Sequence, residues 1–148
     1  MPRIERTAHV SWEGNVARGT GSIAAGSGAF SDLGFSLATR IGQPAGKTSP
    51  EELLAAAHAG CLTMGLASEL TQAGTPPGRL EVDCLIVMDE VEGQGHQIVG
   101  SRVTAAVAAE GVGEDALQAA TERADEGCPF SALLRRAGAD VSVSARLA

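Results

Sequence analysis

Thr48-Ser49-Pro50-Glu51-Glu52-Leu53-Leu54-Ala55-Ala56-Ala57-His58-Ala59-Gly60-Cys61-Leu62-Thr63-Met64-Gly65-Leu66 is the stretch on which the fold turns. Two hydroxyl residues stand ready to cap, a proline occupies the first helical position, and two carboxylates follow where the helix dipole favours negative charge. The signature predicts a helix from about Pro50 to Thr71. Its apolar residues Leu53, Leu54, Ala57, Leu62, Met64, Leu66 and Leu70 fall on nearly every side. A helix that is apolar all round must be covered all round, so this one belongs at the centre of the fold or of a dimer. His58, Thr63 and Ser68 interrupt the run, which therefore falls short of a clean membrane span.

Upstream of the helix, Ile4, Ala8, Val10 and Trp12 alternate with Glu5, Thr7, His9 and Ser11, the period of a half-buried strand. Glu13-Gly14-Asn15 suits a hairpin turn, with Val16 to Ala24 returning as a second strand. A glycine-rich loop follows, then Leu33, Phe35 and Leu37 mark a third strand ending near Arg40. Downstream, Gly74-Thr75-Pro76-Pro77-Gly78 breaks the chain. Leu80, Val82, Cys84, Ile86 and Met88 then alternate as a long strand, and His96 to Ala108 return as another, with Val99, Val103 and Val107 on one face. Leu117, Ala120, Thr121 and Ala124 recur at helical spacing within Glu114 to Asp125. Pro129 to Arg136 suits a short helix, and Asp140 to Leu147 a last strand. The order β-β-β-α-β-β-α-α-β implies an α+β fold in which antiparallel sheets wrap long central helices.

The 148 residues fit one domain, 1–148, and a 44% hydrophobic content suffices for a core although aromatics are only 3%. A formal net charge of −7, with no cluster of Lys and Arg, argues against a nucleic-acid partner. The charged opening Met1-Pro2-Arg3-Ile4-Glu5-Arg6 lacks the apolar core of a secretory signal, so a cytoplasmic location is expected and no membrane association. The histidines His9, His58 and His96 are scattered, with no C-x-x-C and no H-E-x-x-H, so no metal site is expected.

Chemistry is carried by cysteine. Cys61, Cys84 and Cys128 cannot all pair within one chain. Cys61 lies well inside an apolar helix, where desolvation raises a thiol pKa, so a reactive Cys61 needs a buried cation held by a carboxylate. Arg40, just before the loop into the helix, and Glu51, in its first turn, are the nearest such pair in sequence. Arg40 is out of phase with Leu33, Phe35 and Leu37, so its plain alternative is a solvated charge. Cys128, in Glu126-Gly127-Cys128-Pro129, precedes a helix that biases it toward thiolate. One context buries a thiol and the other polarises one. That asymmetry matches a two-cysteine peroxidase in which a Cys61 sulfenic acid condenses with Cys128. Cys84, in register with Val82 and Ile86, reads as packing.

The helix opening Thr48 to Leu54, the run Ala56-Ala57-His58-Ala59-Gly60-Cys61 and the motif Gly127-Cys128-Pro129-Phe130-Ser131 resemble the osmotically induced protein C and organic hydroperoxide resistance (OsmC/Ohr) family. Ser11-Trp12-Glu13-Gly14 and Gly34 to Arg40 resemble its OsmC branch, and the likeness covers essentially the whole chain. The resemblance implies an OsmC-like intertwined homodimer with active sites at the subunit interface, and a cysteine peroxidase that reduces organic hydroperoxides. It implies Cys61 as peroxidatic cysteine, Cys128 as resolving cysteine and Glu51 as the carboxylate that orients an arginine. That arginine resembles Arg40 in the OsmC branch and Arg18 in the early hairpin of the Ohr branch. No cofactor is expected to be bound; the implied reductant is an external dithiol, of lipoyl type or carried on a lipoylated protein. Apolar residues near Met64 and Phe130 would favour greasy hydroperoxides. The chain departs from the family pattern in lacking tyrosine and in placing Gly60 beside the cysteine.

Ten helical positions separate Glu51 from Cys61, about 15 Å along a straight axis. The two do not meet directly, and a site shared between two subunits is one way to bring the carboxylate and its arginine to the thiol. Two other classes of function compete: a non-enzymatic module that holds an apolar ligand in the same cleft, and a thiol hydrolase in which His58, three residues before Cys61, serves as base.

Overall fold

The computed structural model describes residues 1–148 as six strands and four helices. They divide into two compact units, Met1–Leu53 and Leu54–Ala148, with the long helix beginning in the first and continuing through the second.

The first unit is a three-stranded antiparallel sheet, β1 (Ala8–Glu13), β2 (Thr20–Ala25) and β3 (Leu33–Phe35), in the order β1-β2-β3. The expected third strand to Arg40 is a correction. Only Leu33–Phe35 is extended, and the chain then turns into helix α1, Leu37–Ile41. The cause is local: Ser36 accepts the Thr39 amide at 3.2 Å, and the Thr39 hydroxyl receives the Ser36 amide at 3.1 Å, a reciprocal capping box that overrides the alternating pattern.

Helix α2 runs Pro50–Gln72, within a residue of the expected span. The second unit continues with β4 (Arg79–Val91), β5 (Gly95–Ala108), α3 (Glu114–Glu126), α4 (Pro129–Arg136) and β6 (Asp140–Leu147). In β4 the residues Leu80, Val82, Cys84, Ile86 and Met88 are drawn inward and their neighbours are exposed, as their alternation requires. Between Val87 and Met88 the pairing slips, leaving Val99 as the extra residue of a bulge, so the expected Val99-Val103-Val107 stripe starts only beyond it. The sheet order is β4-β5-β6, and β6 runs parallel to β5 because α3 and α4 carry the chain back across the sheet. The antiparallel expectation therefore fails for this one pair.

The core joins Leu62, Leu66 and Leu70 of α2 to Val103, Ala105 and Val107 of β5 and Leu117, Ala120 and Ala124 of α3. Burying each large aliphatic side chain contributes about 1.5–3 kcal/mol. Only one stripe of α2 is sunk, at His58, Leu62, Leu66 and Leu70, while Met64 is 77% exposed.

Candidate functional site

Each unit gathers its own chemical groups. In the first, Trp12 and Phe35 lie across β2 from one another, both in register with Gly21, and their rings meet at 5.5 Å between centroids. A Cβ on Gly21 would come within 2.3 Å of the Phe35 ring, so the aromatic pair exists because that residue has no side chain. Beside the pair is an apolar hollow of about 170 Å³, bounded by Trp12, Val16, Phe35, Leu37 and Pro50 and edged by Arg40. Helix α1, which sequence periodicity missed, presents Arg40. Its Nη2 donates to Glu51 Oε1 at 2.6 Å, and its Nε is 3.0 and 3.2 Å from the two carboxylate oxygens. Burial pushes the Glu51 carboxyl up, but hydrogen bonds from Arg40 and its charge outweigh that and hold the pKa below the usual value. The Arg40–Glu51 pair read from the sequence is thus formed. Arg18, the other candidate, is an exposed residue of the β1–β2 turn.

In the second unit, Cys128 is buried at the N-cap of α4, where its Sγ accepts the Ser131 amide at 3.4 Å. Cys61, half-buried on α2, packs against the same core cluster. Its pKa is pushed up to about 11, first by burial and then by hydrogen bonding to, and the charge of, Cys128; the Phe130 amide opposes the rise. The two thiols are therefore close enough for Cys128 to act on the ionisation of Cys61. Adjacent amides at the start of α4 serve both sulfurs, Phe130 at Cys61 and Ser131 at Cys128.

His58 is wholly buried. Its Nδ1 lies 2.7 Å from Ser101 Oγ and its Nε2 lies 2.8 Å from Ser131 Oγ. Both ring nitrogens are committed to hydroxyls, so His58 has no free lone pair for a thiol and the hydrolase reading loses its base. Burial, ahead of the opposed charges of Asp125 and Arg135, lowers its pKa and keeps the ring neutral. Cys84 packs on the core as expected and has its Sγ 3.5 Å from Ser101 Oγ.

Ser101, Ser131, Asp125 and Arg135 were not singled out from the sequence. Asp125 takes two hydrogen bonds from Arg135, at 2.6 and 3.1 Å. Burial raises its pKa, but Arg135 and Ser131 more than reverse that. The available signal was a serine on the otherwise apolar Ser101-Val103-Ala105-Val107 face, and a second serine three residues past Cys128.

Residues 42–144 match the family profile described as OsmC-like protein. Peroxiredoxin OsmC of Escherichia coli (strain K12) is 31% identical over 132 residues, which span 89% of this chain and 91% of that protein. Among solved structures, the organic hydroperoxide resistance protein OhrB of Bacillus subtilis superposes with a TM-score of 0.68 at 24% identity, covering 95% of this chain and 98% of that one. An OsmC-like protein from Mycoplasma pneumoniae superposes with a TM-score of 0.77 at 10% identity, covering 97% of each chain. At such identities the two structures speak for the fold alone.

Proposed function

This chain belongs to the OsmC-like protein family, and from that premise we propose that it is a thiol-dependent peroxidase acting on organic hydroperoxides. The observation that carries the reading is the pairing of Cys61 with Cys128 at the start of α4. The Cys61 thiolate attacks the terminal peroxide oxygen. The O–O bond breaks, the alkoxide takes a proton and leaves as alcohol, and the sulfur becomes a sulfenic acid. The Cys128 thiolate attacks that sulfur, an S–S bond forms, and hydroxide leaves as water. An external dithiol of lipoyl type then reduces the disulfide by thiol exchange and is itself oxidised to a disulfide.

A thiol held near 11 is almost wholly protonated at neutral pH, so the scheme needs a cation at Cys61. We assign that cation to Arg40, oriented by Glu51, and place the complete site in a homodimer in which one subunit's Arg40–Glu51 pair serves the other's Cys61. The uncovered apolar flank of α2 around Met64 supports such an association. The hollow beside Trp12 and Phe35 and the apolar side chains of Met64 and Phe130 suit a greasy substrate. A reducing cytoplasm, where both thiols are regenerated, is the compartment that fits.

The experiment is direct. One equivalent of cumene hydroperoxide should remove two hydrogens from the protein and link Cys61 to Cys128 in the peptide map. Cys61→Ser should abolish dithiol-dependent turnover, and full activity in that variant would end the scheme. The hollow in the first unit also favours a second reading, an apolar-ligand module without catalysis; it predicts uptake of cumyl alcohol unaffected by blocking the thiols.

A further inference from the structure

A buried chain of hydrogen bonds runs through His58. Its Nδ1 meets Ser101 Oγ at 2.7 Å and its Nε2 meets Ser131 Oγ at 2.8 Å, so each ring nitrogen is matched to a hydroxyl. The Ser101 hydroxyl is also 3.5 Å from Cys84 Sγ. Near Ser131 the Asp125 carboxylate takes two hydrogen bonds from Arg135. No buried side-chain polar atom is left without a partner.

The place of this chain in the fold gives it a use. His58 sits on α2 one turn before Cys61, and Ser131 sits in the first turn of α4, three residues after Cys128. The His58–Ser131 bond therefore spans the same two helices as the two sulfurs, and it fixes the residue whose own amide is bonded to Cys128 Sγ. Loosening it frees the first turn of α4 to rotate, and with it the amides that serve both sulfurs. Ser101, at the other end of the imidazole, lies on β5, and its hydroxyl is engaged with His58 and Cys84.

We propose that His58, acting through Ser131, is a positioning residue that holds the first turn of α4 in register with Cys61, and so sets how fast Cys128 closes onto an activated Cys61. The proposal rests on the two-cysteine reading above, but closure is measurable without any peroxide. One equivalent of 5,5′-dithiobis(2-nitrobenzoate) converts one thiol to a mixed disulfide and releases one thionitrobenzoate. Attack by the second thiolate breaks that mixed bond, forms the Cys61–Cys128 disulfide and releases a second thionitrobenzoate, whose first-order appearance is the closure rate.

Ser131→Ala should slow closure by roughly tenfold, the size of one lost hydrogen bond of about 1.4 kcal/mol. Ser101→Ala, with a similar loss of thermal stability, should close at the parent rate. A finer pair separates positioning from general weakening: His58→Gln reaches toward Ser131 as Nε2 does, and His58→Asn reaches toward Ser101 as Nδ1 does. His58→Gln should close faster than His58→Asn. Equal rates for Ser131→Ala and the parent, or slowing in all variants in proportion to their loss of melting temperature, would overturn the proposal, as would a parent that never releases the second thionitrobenzoate. A parent that closes after the aromatic disulfide but not after cumene hydroperoxide would instead defeat the peroxidase reading and leave the positioning role standing on the variants.

Discussion

The two compact units are complementary in charge chemistry. The first holds a cation without a thiol: Arg40 is fastened to Glu51 by three short contacts, and the carboxylate is kept ionised. The second holds all three thiols, and the groups that move Cys61 there are burial, Cys128 and one backbone amide. Those surroundings push its pKa to about 11. Held near 11, the Cys61 thiol by itself is a poor nucleophile at neutral pH. A thiol buried for selectivity is unreactive until a cation is delivered to it, and a buried cation is tolerable only with its carboxylate. The proposed dimer brings the halves together.

The largest effect is expected from removing the cation. Arg40→Leu should lower kcat/KM for cumene hydroperoxide by roughly a thousandfold, the loss of thiolate when a thiol near neutrality returns toward 11. Stability should hardly change, because the pair is partly exposed and such pairs contribute little. Next comes the association. Met64→Glu puts a charge on the exposed apolar flank of α2 and should weaken dimerisation tenfold or more, read by sedimentation.

Gly21→Ala separates the units by stability. The added methyl collides with Phe35 and Trp12 and should cost about 1–3 kcal/mol. The single tryptophan should report it through altered near-ultraviolet dichroism, while Cys61–Cys128 closure in the other unit stays at the parent rate.

The smallest effect is the pH dependence of the second unit. His58 has a folded pKa below 6.5, so its neutral form stabilises the fold fully above that value. As pH falls below 6.5 the unfolded chain takes up a proton that the folded one refuses, and stability drops by at most about 1.4 kcal/mol per pH unit. Urea midpoints between pH 7.5 and 5 should show this slope, and His58→Gln should flatten it.

How much of this was legible depended on whether a residue's role is local. Helix α2, with its caps, proline and first-turn acids, declared itself, as did α4 after Cys128 and the alternation of β4. The third strand misled because Leu33, Phe35 and Leu37 alternate while Ser36 and Thr39 form a capping box that starts a helix in their midst. The parallel placement of β6 was hidden because alternation sets which face a residue takes and not which neighbour its strand finds. For the proposed site, the Arg40–Glu51 contact was legible from the nearness of the two residues in sequence, and the two cysteines were candidates from their helical contexts. Ser101, Ser131 and Asp125 were not legible, since their hydrogen bonds to or beside His58 join residues as many as 73 apart in the chain.

The most direct test of the account is the titration of Cys61, followed by thiolate absorbance at 240 nm or by the pH dependence of alkylation, in the parent dimer and in Arg40→Leu. The expected result is a parent pKa brought down to near neutrality and a return toward about 11 when the guanidinium is removed. A Cys61 that titrates near 11 in the parent, or that does not move when Arg40 is replaced, would contradict it.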